Sequence, residues 1–128
     1  MAAGRGAPWS PSARRRIAAV SALGLFAAIC WLSLTDDLPD LVRRAVEGYQ
    51  VPAHGAMHMA LAVLVYAALP RRRDAAAGVL LAVAVLLELA QGMTATREVW
   101  LSDMAANVAG SLAGIALFAA VSSRCAPR

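Results

Sequence analysis

Four long apolar stretches constrain the fold of this chain more than any other feature of its sequence: residues 17–34, 54–69, 75–93 and 101–121. A helix needs about 20 predominantly apolar residues to cross a bilayer, and each stretch reaches or approaches that length. The chain has 128 residues, of which 60% are hydrophobic and only 16% are charged. A soluble domain of this size cannot bury so much apolar surface. We therefore predict an all-α, small polytopic membrane protein with four transmembrane helices and the lipid bilayer as its main partner.

A polar segment, residues 35–53, separates the first two apolar stretches. Apolar residues recur in it at helical spacing, opposite Asp40, Arg43, Arg44 and Glu47. This pattern is typical of an amphipathic helix that lies on a membrane surface. We predict such a helix on the outer surface, between the first and second spans.

The composition of the chain ends predicts two short tails around a transmembrane domain at 17–121. Residues 1–16 form a disordered basic tail and residues 122–128 a second tail, both in the cytoplasm. The arginines at 14–16, followed by an apolar run, also resemble the start of a signal peptide. Because no clear small-x-small cleavage site precedes Asp36 and Asp37, we predict an uncleaved first helix instead.

Arginine placement predicts the orientation in the membrane. The net charge of +4 depends on arginine alone, since the chain has no lysine, and the arginines form short clusters between apolar stretches. Such clusters are typical of topology signals rather than of a nucleic-acid-binding face, so we expect no nucleic-acid partner. With the N-terminus inside, nine arginines lie on the inner face and three, Arg43, Arg44 and Arg97, on the outer face. The positive-inside rule then places both termini in the cytoplasm.

Polar side chains from three spans share one level near the outer surface. Ionisable groups inside a membrane are costly and are typical of functional sites. The candidate residues are His58, Glu88, Gln91, Arg97, Asp103 and Asn107. Those within the spans lie roughly two to three helical turns from the outer surface, at about 5.4 Å per turn. We predict one polar binding cluster in the outer leaflet; the alternative is a purely structural network of ion pairs and hydrogen bonds.

The two histidines, His54 and His58, have the i, i+4 spacing that zinc-binding helices use. A metalloprotease helix carries glutamate directly after the first histidine, where this chain has Gly55. Zinc binding by His54 and His58 with Glu88 or Asp103 is an alternative with a plausible mix of ligands. Because the glutamate is missing, we predict no metal and no cofactor. His58 is assigned to the polar cluster and His54 to the interface, as a lone polar residue.

Small residues recur along the fourth span at Ala106, Gly110 and Gly114. A small residue every fourth position allows close helix approach. We predict a packing role, either within the bundle or at a dimer face; the pattern itself specifies no oligomeric state.

The run ELAQGMTATREVWLSDMAANVAGSLAG, with His58 and Tyr66 in the preceding helix, resembles the VanZ-like family of bacterial membrane proteins. Members typically carry Glu-x-x-Gln on one helix, an arginine in a short loop, then Asp-x-x-x-Asn and Gly-x-x-x-Gly on the next helix. The matching residues here are Glu88, Gln91, Arg97, Asp103, Asn107, Gly110 and Gly114. The resemblance covers residues 35–121. It departs from the family ahead of His58, where relatives often carry Asp-Lys and this chain has His54 and Gly55.

The resemblance implies a protein of the bacterial cytoplasmic membrane that is associated with the cell envelope, and the name-giving member is associated with low-level resistance to the glycopeptide teicoplanin. Our first hypothesis is a non-enzymatic protein whose cluster binds a lipid-linked or glycopeptide-like ligand or a partner, with Arg97 meeting an anionic group. The alternative is a small intramembrane enzyme acting on an envelope lipid, with His58 and Glu88 or Asp103 as acid and base and Arg97 stabilising an anion. No nucleophile motif is visible. A transporter is less favoured, because the polar groups stop at one leaflet.

Overall fold

A computed structural model describes residues 9–35, 39–46, 48–94 and 99–124. Within these ranges it contains five α-helices and no strand. They are α1 (Pro11–Leu34), α2 (Asp40–Val46), α3 (Gln50–Ala68), α4 (Arg73–Gln91) and α5 (Leu101–Arg124). The predicted all-α architecture, with four long helices and a short one after the first, is confirmed.

The four long helices are each long and apolar enough to cross a membrane. Only 17% to 33% of each apolar window is buried inside the bundle. Large side chains such as Val20, Leu23, Val79 and Leu86 instead lie on the outside. A surface of this kind fits a hydrocarbon environment and would be very costly in water. The chain is therefore an integral, multi-pass membrane protein.

The first helix begins earlier than the sequence analysis predicts. The Ser10 hydroxyl accepts a hydrogen bond from the Ala13 backbone N–H at 3.2 Å, and Pro11 occupies the first helical position. Both are strong helix-start signals. As a result, the arginines at 14–16 lie in the first turns of α1 rather than in a disordered tail.

The bundle core is built around α3, which packs most extensively on α5 and also contacts α1 and α4. Ile29 of α1, Leu61 of α3 and Leu80 of α4 are almost fully buried in one apolar cluster. Near the end of α3, Tyr66 packs edge-on against Phe118 of α5, with the ring centroids 5.9 Å apart. These contacts fix the four spans in one arrangement, which in turn fixes where their ends meet.

Glycines bring α3 and α5 into backbone contact. A Cβ atom on Gly110 would lie 2.8 Å from the carbonyl carbon of Gly55 and closer still to its oxygen. A Cβ on Gly114 would lie 2.8 Å from the Cβ of Ala62 and would also overlap the carbonyl oxygen of Met59. Both glycines of α5 thus serve packing within the bundle, one of the two roles that the sequence analysis left open.

The two ends of the bundle differ in chemistry. At one, the arginine end, Arg15 of α1 lies beside the turn between α3 and α4, where it shares a shallow groove with Arg71 and Arg72. At the other, which we call the polar end, α3 and α5 begin and α4 ends. The buried acidic residues of the spans lie at this polar end.

The short helix α2 is largely exposed where its side chains are described: Asp40, Leu41, Arg43 and Arg44 are exposed and Val42 is half-buried. Its Leu41 side chain is 83% exposed. The Arg43 guanidinium pairs with the carboxylate of Asp40 one turn earlier. Both partners of this ion pair face solvent, so it contributes little to stability.

Candidate polar binding site

Three transmembrane helices deliver polar side chains to one point at the polar end. We call these residues the polar cluster: His54 of α3, Glu88 of α4, and Asp103 and Asn107 of α5. One ligand-type atom from each of His54, Glu88 and Asp103 lies within 4.8 Å of the other two. The predicted convergence of Glu88, Asp103 and Asn107 is therefore present in the structure.

Glu88 is the most buried acidic residue of the cluster, with 1% of its surface exposed. Its Oε1 accepts a hydrogen bond of 2.9 Å from the Trp100 backbone N–H, immediately before α5 begins. The unpaired N–H groups and the dipole of a helix N-terminus favour a negative charge there. Oε2 of the same carboxylate has no hydrogen-bond partner among the described residues. Oε1 is thus held by a hydrogen bond, while Oε2 is free to accept one.

Asp103 supplies the second carboxylate, from the first turn of α5. It is 8% exposed, and the Ser102 hydroxyl donates to its Oδ1 at 3.5 Å, the outer limit of a hydrogen bond. The only ion pair within the described ranges is the Arg43–Asp40 pair of α2. Two acidic groups therefore share the polar end with no paired cation from the described part of the chain.

Asn107 holds His54 in a defined orientation. The Nδ2 of Asn107 donates to the Ala84 carbonyl at 3.4 Å, which turns its Oδ1 toward His54. His54 Nδ1 lies 3.1 Å from that oxygen. Because an amide oxygen only accepts, Nδ1 must be the donor, and in the neutral ring the lone pair is then on Nε2. The side chain of Asn107 is fully buried, so this arrangement is protected from water.

The contact between His54 and Asn107 depends on the glycine packing beside it. Gly55 follows His54 directly, and its backbone is the surface against which Gly110 packs. A Cβ on Gly110 would separate α5 from α3, whereas one on Gly55 would lie 3.5 Å from the Ala106 carbonyl oxygen, an ordinary contact. The close helix approach is what lets a histidine of α3 reach an amide of α5.

The structure corrects the assignment of the two histidines. His58 lies one turn deeper than the polar cluster, is 1% exposed, and contacts the Ser111 hydroxyl through Nδ1 at 3.4 Å. His54, which the sequence analysis placed apart as a lone interfacial residue, is the histidine that meets the carboxylates. The two pairs form a ladder: His54 and His58 on α3 face Asn107 and Ser111 on α5, each pair at i, i+4. Ser111 was not predicted as a site residue, although this matched spacing was visible in the sequence.

Two other predicted site residues, Gln91 and Arg97, are not joined to the polar cluster by any described contact. Gln91 is buried at the end of α4, and its backbone carbonyl accepts a hydrogen bond of 2.9 Å from the Thr94 hydroxyl. No side-chain hydrogen bond joins Gln91 to the cluster within the described ranges. Arg97 lies outside the described residues, so its predicted role stays a prediction. The backbone N–H of Trp100 is a further contact that no residue-type pattern could have identified.

Fold and site together define a class: a small α-helical, multi-pass membrane protein with buried carboxylates and asparagine and a half-buried histidine clustered at one end of its bundle. No protein-family model, no curated protein and no solved structure matches the chain.

Proposed function

We propose that this chain is a VanZ-like protein of the bacterial cytoplasmic membrane whose polar cluster binds an envelope-related ligand. The observation that carries the proposal is the carboxylate of Glu88, which is buried among transmembrane helices with one oxygen unpaired among the described residues. A buried charge without partners is costly, and functional sites are where proteins retain such groups.

The orientation of the proposed site follows from the arginines. Arg15, Arg71 and Arg72 share one groove at the end opposite the polar cluster. Under the positive-inside rule that arginine end faces the cytoplasm. The polar cluster then lies at the level of the outer leaflet, on the side where lipid-linked cell-wall precursors and glycopeptides are accessible, and both chain termini are cytoplasmic.

The family assignment is supported by an ordered set of residues rather than by any single one. The acidic residue of α4 (Glu88) and the Asp-x-x-x-Asn of α5 (Asp103 and Asn107) form one cluster, and the Gly-x-x-x-Gly packs against α3. The ordered residues thus include both those that form the polar cluster and the glycines that bring α5 against α3. The link to teicoplanin resistance comes with this assignment.

The chemistry of the cluster favours ligands that donate hydrogen bonds or carry positive charge. Glu88 and Asp103 present carboxylate oxygens, which only accept when ionised. Amines, amides and sugar hydroxyls of a glycopeptide-like or lipid-linked ligand meet that requirement. An anionic group on the same ligand would be met by Arg97, as the sequence analysis predicts.

The test is a comparison of matched carboxylate variants in a teicoplanin-susceptible bacterium. We expect wild type to raise the teicoplanin concentration needed to inhibit growth, and Glu88→Gln and Asp103→Asn to lose that protection. Asp74→Asn is the matched control, because Asp74 is an exposed acid in the first turn of α4, at the arginine end. Quantified membrane abundance must be equal in all strains. Full protection by both cluster variants at wild-type abundance would contradict a binding role.

The enzymatic alternative is favoured by the contact between Ser111 and His58, since a hydroxyl beside an imidazole is how serine nucleophiles are activated. Ser111 is 0% and His58 1% exposed, so a lipid could reach the pair only if α3 and α5 separated. Turnover of labelled envelope lipids by purified protein, lost in Ser111→Ala, would establish this alternative.

A further inference from the structure

We propose that His54, Glu88 and Asp103 form a binding site for a divalent transition-metal cation, with Zn²⁺ as the best-matched ion. This inference rests on the proposed function only in so far as both use the polar end of the bundle. The sequence analysis predicts no metal, because Gly55 stands where a metalloprotease helix has glutamate. The structure leaves out His58 and brings both carboxylates to His54, one residue from each of three helices.

The distances suit a site that closes on an ion. One nitrogen or oxygen atom from each residue lies within 4.8 Å of the other two. Around tetrahedral zinc, with bonds of about 2.1 Å, ligand atoms are separated by about 3.4 Å. The three ligand atoms therefore need to approach one another by at most about 1.4 Å, which side-chain rotation can supply.

The charges suit a divalent cation. When both are ionised, Glu88 and Asp103 offer two negative charges to an ion, and the described residues pair no cationic side chain with either of them. A bound divalent ion would balance both charges at once, in a place where isolated carboxylates are costly. Glu88 also offers an unpaired, fully buried oxygen to such an ion.

The neighbours of His54 prepare it as a ligand. Its Nδ1 donates to Asn107, whose own amide is anchored on the Ala84 carbonyl. Metal-binding histidines almost always donate their second ring N–H to a protein oxygen, which fixes the tautomer and the ring orientation. His58 is not a candidate ligand, because it lies outside the group formed by His54 and the two carboxylates.

The ligand types select the ion. One imidazole with two carboxylates is a set typical of first-row divalent metals such as zinc, rather than of calcium or magnesium, which prefer all-oxygen sites. Three protein ligands leave a fourth tetrahedral position to water or to an oxygen of a bound molecule.

The test measures zinc binding by the full-length protein, purified in detergent without a polyhistidine tag and stripped with EDTA. After incubation with Zn²⁺ and desalting, we expect equimolar zinc by mass spectrometry and saturable heat on titration. His54→Gln, Glu88→Gln and Asp103→Asn should each lose stoichiometric zinc. Asn107→Ala should weaken binding about 10- to 100-fold, as loss of an outer-shell partner does.

The matched control is His58→Gln, on the same helix and one turn deeper, which should retain equimolar zinc. Size-exclusion elution identifies any variant that fails to fold, and the wild-type measurement is independent of all variants. Absence of equimolar zinc from wild type overturns the proposal, as does zinc that survives all three ligand variants. If wild type takes up no zinc while Glu88→Gln still abolishes teicoplanin protection, the metal site is refuted and the ligand-binding role stands.

Discussion

Gly110→Ala tests how closely the site depends on helix packing. An added Cβ would overlap the carbonyl group of Gly55, and neither backbone can yield without moving a whole helix. Overpacking of this kind costs about 1–3 kcal/mol. Alanine recovers about 0.5–1 kcal/mol through its better helix propensity. The net effect is a loss of about 0–2.5 kcal/mol in the free energy of unfolding.

Gly78→Ala is the matched control, since a Cβ on Gly78 in α4 would meet nothing within 4 Å. There only the propensity gain remains, so this variant should be more stable than wild type by about 0.5–1 kcal/mol. The assay is reversible unfolding in detergent micelles, followed by circular dichroism.

Gly110→Ala should also damage the polar cluster. Separation of α3 from α5 at Gly110 lengthens the 3.1 Å contact between His54 and Asn107. We therefore expect Gly110→Ala, but not Gly78→Ala, to lose zinc binding as well as stability. Equal stabilities for the two alanine variants, with zinc binding intact in both, would refute the reasoning.

Three further predictions concern other parts of the bundle. Ser111→Ala removes the partner of His58 and should destabilise the protein by about 0.6 kcal/mol, the usual contribution of an interhelical hydrogen bond in a membrane. The same unfolding assay measures this loss. A loss of several kcal/mol would mean that the pair does more than join two helices. Phe118→Leu removes both the edge contact with Tyr66 and the ring under the Arg73 guanidinium, 5.0 Å from the ring centroid, and should cost about 1–2 kcal/mol; wild-type stability would argue against these contacts. In a variant whose two native cysteines are replaced, a membrane-impermeant thiol reagent should label Met93→Cys on intact cells but Arg72→Cys only after permeabilisation; the reverse pattern would invert the proposed topology.

Periodicity and length were sufficient to predict the helices. An apolar run of about 20 residues has few alternatives in a bilayer, because every backbone polar group must be bonded within the segment. The start of α1 was missed because composition suggested a disordered tail, whereas the local capping by Ser10 and Pro11 is what sets the boundary.

The site was only partly predictable. Costly polar residues at a common depth predicted that Glu88 and Asp103 lie close together, as they do in the structure, since depth follows from position along a span. The choice between His54 and His58 could not be made in this way, because both lie on one face of α3. It depends on the register of α3 against α5, which the Gly55–Gly110 contact sets in three dimensions.

The central claim is that the polar cluster is a binding site and not a structural network, and the unfolding free energy of metal-free Glu88→Gln tests it most directly. Glutamine keeps an acceptor for the Trp100 N–H and removes only the buried charge. If Glu88 is retained to bind a ligand, replacing its carboxyl group, which no described cation pairs, should leave the protein at least as stable as wild type. If Glu88 instead belongs to a buried structural ion pair, the variant should lose about 3–5 kcal/mol, and that result would contradict the account.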